Sequence, residues 1–388
     1  MQERLHIIQI APCFVDLERE TGGVSNVVRQ ICLLLRQKGH SVTLICSNID
    51  LRKVVSEVRA FTSTEGIAVY VVDQRPNPLL GPQDKVLHVL SKVLQREESR
   101  QAIAHVHTCF SSLTECAMGF FTKHHVRFIF SPHGKLSENA LGKRKWAKLL
   151  WWYLIARRKI ASAEVIGVLA KSEAALFRGL LLHNAVKVIP NGFQASPPVS
   201  CSSEPLPEKY ILFLGFIDPR KQPDFLVRAF ALSRTSYTHK LLLVGPDAYA
   251  FSDEVRGNAA ELGIEGKVIF FGSAYGALKW RILRGASCLC LPSIGEGHPI
   301  VMCEALGAGI PSVYSTFCNF PEVAEAGAGV ELSNFSPQAW ASAIDRVVLD
   351  DAINIKMSNA ARCISSRYTW EAAVDRWESL YFECLTVT

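Results

Sequence analysis

The run HIIQIAP at residues 6–12, the glycine turn Thr21-Gly22-Gly23, the helix-period segment from Val24 to Lys38, Gly39-His40 and the run SVTLICS at 41–47 together decide the fold. A short, uninterrupted apolar run suits a strand buried on both faces, as a parallel sheet requires. The amphipathic segment between the two runs has the length of a crossover helix. Working outward, the alternation repeats. Strands are predicted at 67–72, 104–107, 126–131, 164–169 and 186–189, with helices at 84–103, 111–124, 145–160 and 172–183. Residues 194–210 interrupt it with Ser and Pro and no periodicity, which is a linker composition.

The alternation then restarts. Strands are predicted at 210–215, 240–245, 267–272, 287–293 and 311–315. Helices fit 221–235, 253–262, 275–285, 301–308, 336–349 and 351–366, and a last helix follows Thr369 as its N-cap. The expected class is α/β, with two Rossmann-like doubly wound domains facing across a cleft. The first domain is expected at 1–195, the linker at 196–208 and the second domain at 209–368, with a C-terminal helix at 369–388 packing back on the first. Ligands of open α/β sheets bind beyond the carboxyl ends of the strands, so residues just after strands are the informative ones.

Composition narrows the function. The chain has 388 residues, of which 49% are hydrophobic and 20% charged, which excludes a disordered chain. The apolar run Leu149–Ala156 has eight residues, against the roughly 20 that a bilayer crossing needs. Glu3 and Arg4 read against a secretory signal. The 12 cysteines lie mostly in apolar runs without a C-x-x-C pair, and read as core residues of a protein in a reducing, cytoplasmic compartment. The Cys288–Cys290 spacing is read as opposed strand positions, and no metal site is expected.

The net charge of +6 is local. No acidic residue lies between Glu138 and Glu164, while Lys143, Arg144, Lys145, Lys148, Arg157, Arg158 and Lys159 all do. Trp146, Trp151 and Trp152 share that segment. Three readings stand: a crossover helix of the first domain with solvated ends, a helix docking on an anionic membrane surface or lipid-linked acceptor, or a basic patch for another partner. The docking reading uses Lys143, Arg144, Trp151, Trp152, Arg157 and Arg158. Nucleic acid is disfavoured, because no nucleic-acid module accompanies the charge.

The richest stretch runs from Pro292 to Pro311, PSIGEGHPIVMCEALGAGIP. A small-residue loop carries Glu296 from a strand end into a helix that starts near Pro299–Ile300, and Glu304 follows one turn later. A helix start suits an anion such as a diphosphate, and carboxylates accept hydrogen bonds from paired sugar hydroxyls. The blander reading makes Glu296 a dipole partner and Glu304 a solvated helix residue.

The E-x7-E frame before A-L-G-A-G-I-P resembles the signature of the retaining family 4 glycosyltransferases, which have the GT-B architecture. Other landmarks agree in order: G-G-V-S-N-V-V after the first strand, Ser131-Pro132-His133-Gly134, Val188-Ile189-Pro190-Asn191-Gly192, and Gly215-Phe216-Ile217-Asp218-Pro219-Arg220-Lys221. The S-P-H-G stretch is similar to that of a polysaccharide-biosynthesis branch.

The resemblance implies that Glu304 binds the ribose hydroxyls of a nucleotide sugar. It places Glu296 and His133 at the transferred sugar, and Lys221, with Arg220 beside it, at the diphosphate. Gly297, His298, Ile300 and Val301 would line the donor through their backbone, with Gly22, Gly23 and Asn191 nearby. Phe216 stands where the family has Arg, which would weaken diphosphate stabilisation. The implied function is a hexosyltransferase acting on a saccharide or lipid-linked acceptor in surface polysaccharide or lipopolysaccharide synthesis. It would use no cofactor or metal, and would be cytoplasmic or peripheral on the inner membrane face. A catalytically weakened scaffold or sugar-nucleotide sensor is the alternative.

Overall fold

The computed structural model describes residues 4–18, 23–48, 58–72, 83–95, 101–135, 152, 156–181, 185–194, 204–247 and 250–386. The chain divides into two compact units, Met1–Pro190 with Ala373–Thr388, and Asn191–Ala372. Residues 191–194 therefore go with the second unit, because the Phe193 amide donates to the Tyr368 carbonyl and its own carbonyl accepts from Trp370. The C-terminal helix, Trp370–Thr386, has its residues from Ala373 onward in the first unit.

In the first unit the described elements are β1 (His6–Ala11), α1 (Gly23–Gln37), β2 (Ser41–Ser47), β3 (Arg59–Thr62), β4 (Ala68–Val72), α2 (Gln83–Leu94), β5 (Ala102–His107), α3 (Ser112–Lys123), β6 (Phe128–Ser131), α4 (Arg157–Ala161), β7 (Val165–Val168), α5 (Lys171–Leu181) and β8 (Val186–Val188). Among the described residues the sheet order is β3-β4-β2-β1-β5-β6-β7-β8, parallel except for β3 against β4. All six residues of β1 are buried, as its apolar run requires. The α1 stop is a Schellman motif: the His40 amide donates to the Leu35 carbonyl and the Gly39 amide to that of Arg36, with Gly39 at φ 93°. The helix predicted to reach residue 103 stops at Leu94, because Ala102 already pairs with His6 of β1. Strand β3 was not foreseen; its exposed residues carry no apolar pattern.

The second unit contains β9 (Tyr210–Leu214), α6 (Pro223–Leu232), β10 (Lys240–Val244), α7 (Ser252–Glu261), β11 (Val268–Gly272), α8 (Gly276–Gly285), β12 (Cys288–Leu291), α9 (Ile300–Ala308), β13 (Ser312–Ser315), α10 (Pro321–Glu325), β14 (Gly329–Leu332), α11 (Pro337–Leu349) and α12 (Asp351–Ser365). Its parallel sheet has the order β11-β10-β9-β12-β13-β14, a doubly wound arrangement with the switch between β9 and β12. The pleat sorts the core. Tyr210, Leu212, Leu289 and Leu291 meet α8 and α9 on one face, while Ile211 and Phe213 meet α6 and α11 on the other. Cys288 and Cys290 both join the second face, so they are same-face neighbours and not opposed, as the two-residue period of a strand dictates.

Two glycines of A-L-G-A-G-I-P serve this packing. A Cβ on Gly307 would lie 2.2 Å from the Phe193 ring. Gly309 ends α9 at φ 72°, where a side chain would also meet Arg362.

Candidate functional site

Two loops meet at the switch point of the second sheet. After β9, the buried Asp218 carboxylate accepts from the Arg220 amide at 2.7 Å and the Lys221 amide at 3.3 Å, which shapes the turn into α6. After β12, the loop is pinned by the Ile294 amide donating to the Arg220 carbonyl and by Asn319, whose side-chain amide donates to the Glu296 carbonyl at 2.6 Å. Lys221 forms an ion pair with Glu296, and both side chains keep some exposure. Arg220 instead reaches back to Asp218 at 3.2 Å with its side chain 71% exposed. Phe216 is 43% exposed.

One turn into α9, Glu304 is buried rather than solvated, and its carboxylate accepts from Lys279 Nζ at 2.6 Å. Sequence reasoning missed Lys279. Its signal was a lysine among Trp280, Ile282 and Leu283 on the buried side of α8. Ile300 and Val301 open α9 behind Pro299, and Gly297 precedes it in the loop.

His298 and Asn191 are both buried and meet each other beside this loop. The His298 ring lies 4.1 Å from that of Phe320 and 6.0 Å from that of Tyr368, and its carbonyl accepts from the Asn191 side chain at 2.8 Å. Burial pushes its pKa down to about 3, so the ring is a neutral core group. Asn191 spends its amide bracing the loop from behind.

In the first unit, β5 and β6 end in a cluster of histidines. His133 follows β6 in the left-handed region, at φ 52°. Its loop is held by Glu173, which accepts from the Gly134 amide at 2.8 Å and the Leu169 amide at 3.0 Å. His133 Nε2 lies 2.8 Å from Nδ1 of the fully buried His107, and His107 Nε2 lies 2.6 Å from Gln9 Oε1. Burial pushes His105 and His107 well below the ordinary imidazole value and His133 to about 3. Thr108 and Phe110, just past β5, also have positive φ. Three of the positive-φ non-glycine residues thus follow these two strands, where strain tends to collect at functional positions. Gln9 and His105 were missed; the trace of Gln9 was one carboxamide inside an apolar strand.

Gly23 starts α1 at φ 60°, while Gly22 lies outside the described residues. Of the basic segment, Lys143, Arg144 and Trp151 lie outside them too. Trp152, offered to a surface by the docking reading, is a core residue with its ring 6.4 Å from Phe177. Ala156 and Ile160 follow it inward at four-residue steps, leaving Arg157 and Arg158 exposed. Among the described residues, none of the helices is long and apolar enough to cross a membrane. Nor do three His, Cys, Asp or Glu residues gather among them where they could hold a metal ion.

The profile of Glycosyltransferase Family 4 matches residues 21–196, and that of Glycosyl transferases group 1 matches residues 202–363. The chain belongs to the family 4 glycosyltransferases. Within that family it is 29% identical over 189 residues to D-inositol 3-phosphate glycosyltransferase of Corynebacterium aurimucosum, 47% of this chain and 45% of that one. The chain thus spans less than half the length of the curated relatives it matches. Its fold is similar to that of sucrose-phosphate synthase of Thermosynechococcus elongatus, with TM-score 0.74 and 19% identity over 99% of this chain and 100% of that one. HepE of Anabaena in complex with UDP is similar at TM-score 0.75 and 16% identity, over 98% and 100% of the two chains. The two parallel-sheet α/β units are those of the GT-B fold class.

Proposed function

We propose that this protein transfers a hexosyl group, with retention of configuration, from a uridine-diphosphate sugar to a saccharide or lipid-linked saccharide acceptor, in the building of a surface polysaccharide or lipopolysaccharide. The observation that carries the proposal is the pair of lysine–glutamate contacts beside α9, Lys221 with Glu296 and Lys279 with Glu304. Glu304 accepts from the ribose hydroxyls, with Lys279 keeping its carboxylate oriented. Lys221 stabilises the charge that develops on the departing diphosphate, helped by the backbone amides at the start of α9. Its ion pair with Glu296 holds the cation in place until the donor arrives, and Glu296 then meets the sugar hydroxyls. His133 meets the transferred sugar. With these groups positioning the donor and relieving charge, acceptor attack on the face the phosphate leaves needs no enzymic nucleophile.

Similar structures solved with UDP, and with UDP and glucose, support the donor class. The resemblance of Ser131-Pro132-His133-Gly134 to a polysaccharide branch supports the acceptor class. Arg157 and Arg158, exposed at the edge of the basic segment, support docking of an anionic acceptor or membrane surface. Phe216 in place of the family's Arg favours a second reading, a sugar-nucleotide sensor without turnover.

Thermal shift with UDP-, GDP- and ADP-hexoses, followed by measurement of released nucleotide with and without Glu296→Gln, tests both readings. Stabilisation by UDP-hexose with turnover that Glu296→Gln removes is expected. Stabilisation with equal, negligible turnover in both proteins would select the sensor, and no stabilisation by any of the three would end both readings.

A further inference from the structure

Behind His133 lies a chain of buried side chains whose proton placement follows from the orientation of the Gln9 carboxamide. Gln9, fully buried in β1, donates from Nε2 to the Tyr381 hydroxyl at 3.2 Å, and its Oε1 lies 2.6 Å from His107 Nε2. A carboxamide oxygen only accepts, so His107 carries its proton on Nε2. A neutral imidazole has one N–H, which leaves His107 Nδ1 with a lone pair. That atom is 2.8 Å from His133 Nε2, and two lone pairs would repel at such a distance, so His133 Nε2 is the donor.

The other end of the chain continues with the same polarity. Tyr381, accepting from Gln9, donates its hydroxyl proton to His105 Nδ1 at 2.8 Å. His105 Nε2 then donates to Ser131 Oγ at 2.8 Å, two residues before His133. Turning the Gln9 amide over would reverse this polarity and move the His133 proton to Nδ1. Burial holds all three imidazoles neutral, so none escapes the choice by carrying two protons.

We propose that Gln9 and His107 are positioning residues that lock His133 as its Nε2–H tautomer, with the Tyr381 hydroxyl on the C-terminal helix holding the nitrogen end of the Gln9 amide. His133 Nδ1 is then a hydrogen-bond acceptor, fit for a sugar hydroxyl and unable to protonate a leaving group. The proposal rests on the reading of His133 as the residue that meets the sugar.

The test is the ring-nitrogen NMR spectrum of the full-length protein labelled with 15N-histidine, with His133→Asn assigning the signals. The expected result is a protonated Nε2 and an unprotonated Nδ1 on His133. Gln9→Leu and the nearly isosteric Tyr381→Phe should each move His133 toward a mixture of tautomers. Turnover of UDP-hexose should fall with it by about tenfold, the worth of one neutral hydrogen bond. A His133 proton on Nδ1 in the unsubstituted protein overturns the proposal, as does a tautomer indifferent to both variants. A tautomer that responds while turnover is unchanged upholds the positioning chain and removes His133 from the transfer chemistry.

Discussion

The two units treat polar groups at their strand ends in opposite ways. The second unit keeps charges there, each lysine matched to a glutamate: Lys221 with Glu296 and Lys279 with Glu304. The first keeps neutral rings and an amide, Gln9, His105, His107 and His133, satisfied by one another. Both arrangements answer the same constraint, that a buried polar group without a partner is costly. The difference matches the proposed function, in which the paired charges are reassigned to a diphosphate and its ribose while the neutral network positions hydroxyls.

Removing one member of the drier of these two lysine–glutamate pairs should break the comparison most visibly. Lys279→Met removes the cation beside the buried Glu304 carboxylate, and is expected to cost about 3–5 kcal/mol in the second unit. Hydrogen exchange across Ile300–Ala308 against urea would register it, and Lys279→Met with Glu304→Leu should recover most of the loss. A single-variant cost near zero would show that water reaches the pair.

Lys221→Ala is expected to lower kcat by about 100–1,000-fold, the worth of a group stabilising transition-state charge. Its stability cost should stay within about 1 kcal/mol, since Lys221 and Glu296 both retain exposure. Stability loss without rate loss would make that pair a structural brace.

Acid should separate the units. His105, His107 and His133 take up protons more readily when unfolded than in the fold, where burial depresses their pKa values. Their contribution is intact above the unfolded imidazole value of about 6.5 and is lost as pH falls toward the folded value, at a slope on the order of 1 kcal/mol per histidine per pH unit. For His133 that window ends at about 3. His298 is the described histidine of the second unit driven equally low. Peptide-level exchange between pH 6.5 and 4.5 should show the first unit opening before the second; simultaneous opening would contradict this.

The smallest effect expected is that of Phe216→Arg. At 43% exposure the change should leave stability within about 0.5 kcal/mol. It should lower the donor KM by about fivefold at most, the scale of one exposed charge contact. An unchanged KM would mean that Lys221 and the α9 amides already saturate the diphosphate.

Local pattern was enough for much of this molecule. Strands such as β1 and β9 are continuous apolar runs because both of their faces are covered, and that is written in consecutive residues. The position of Glu296 in a loop and Glu304 one turn into α9 was also local, set by Pro299 and the helix period. Exposed β3 and the overrun of α2 were illegible, because edge pairing and the start of β5 depend on neighbours far along the chain.

The sequence by itself determined two doubly wound α/β halves, the family signature and the two glutamates that flank the start of α9, all of them features of neighbouring residues. Only the tertiary structure decided that Glu304 is paired with Lys279, 25 residues away, and that Gln9 stands between His107, 98 residues on, and Tyr381, 372 residues on. It also turned Trp152 into the core while leaving Arg157 and Arg158 outside. The reason is physical: a buried polar group must find a partner, and which one it meets is set by how sheets and helices stack, which no local period encodes.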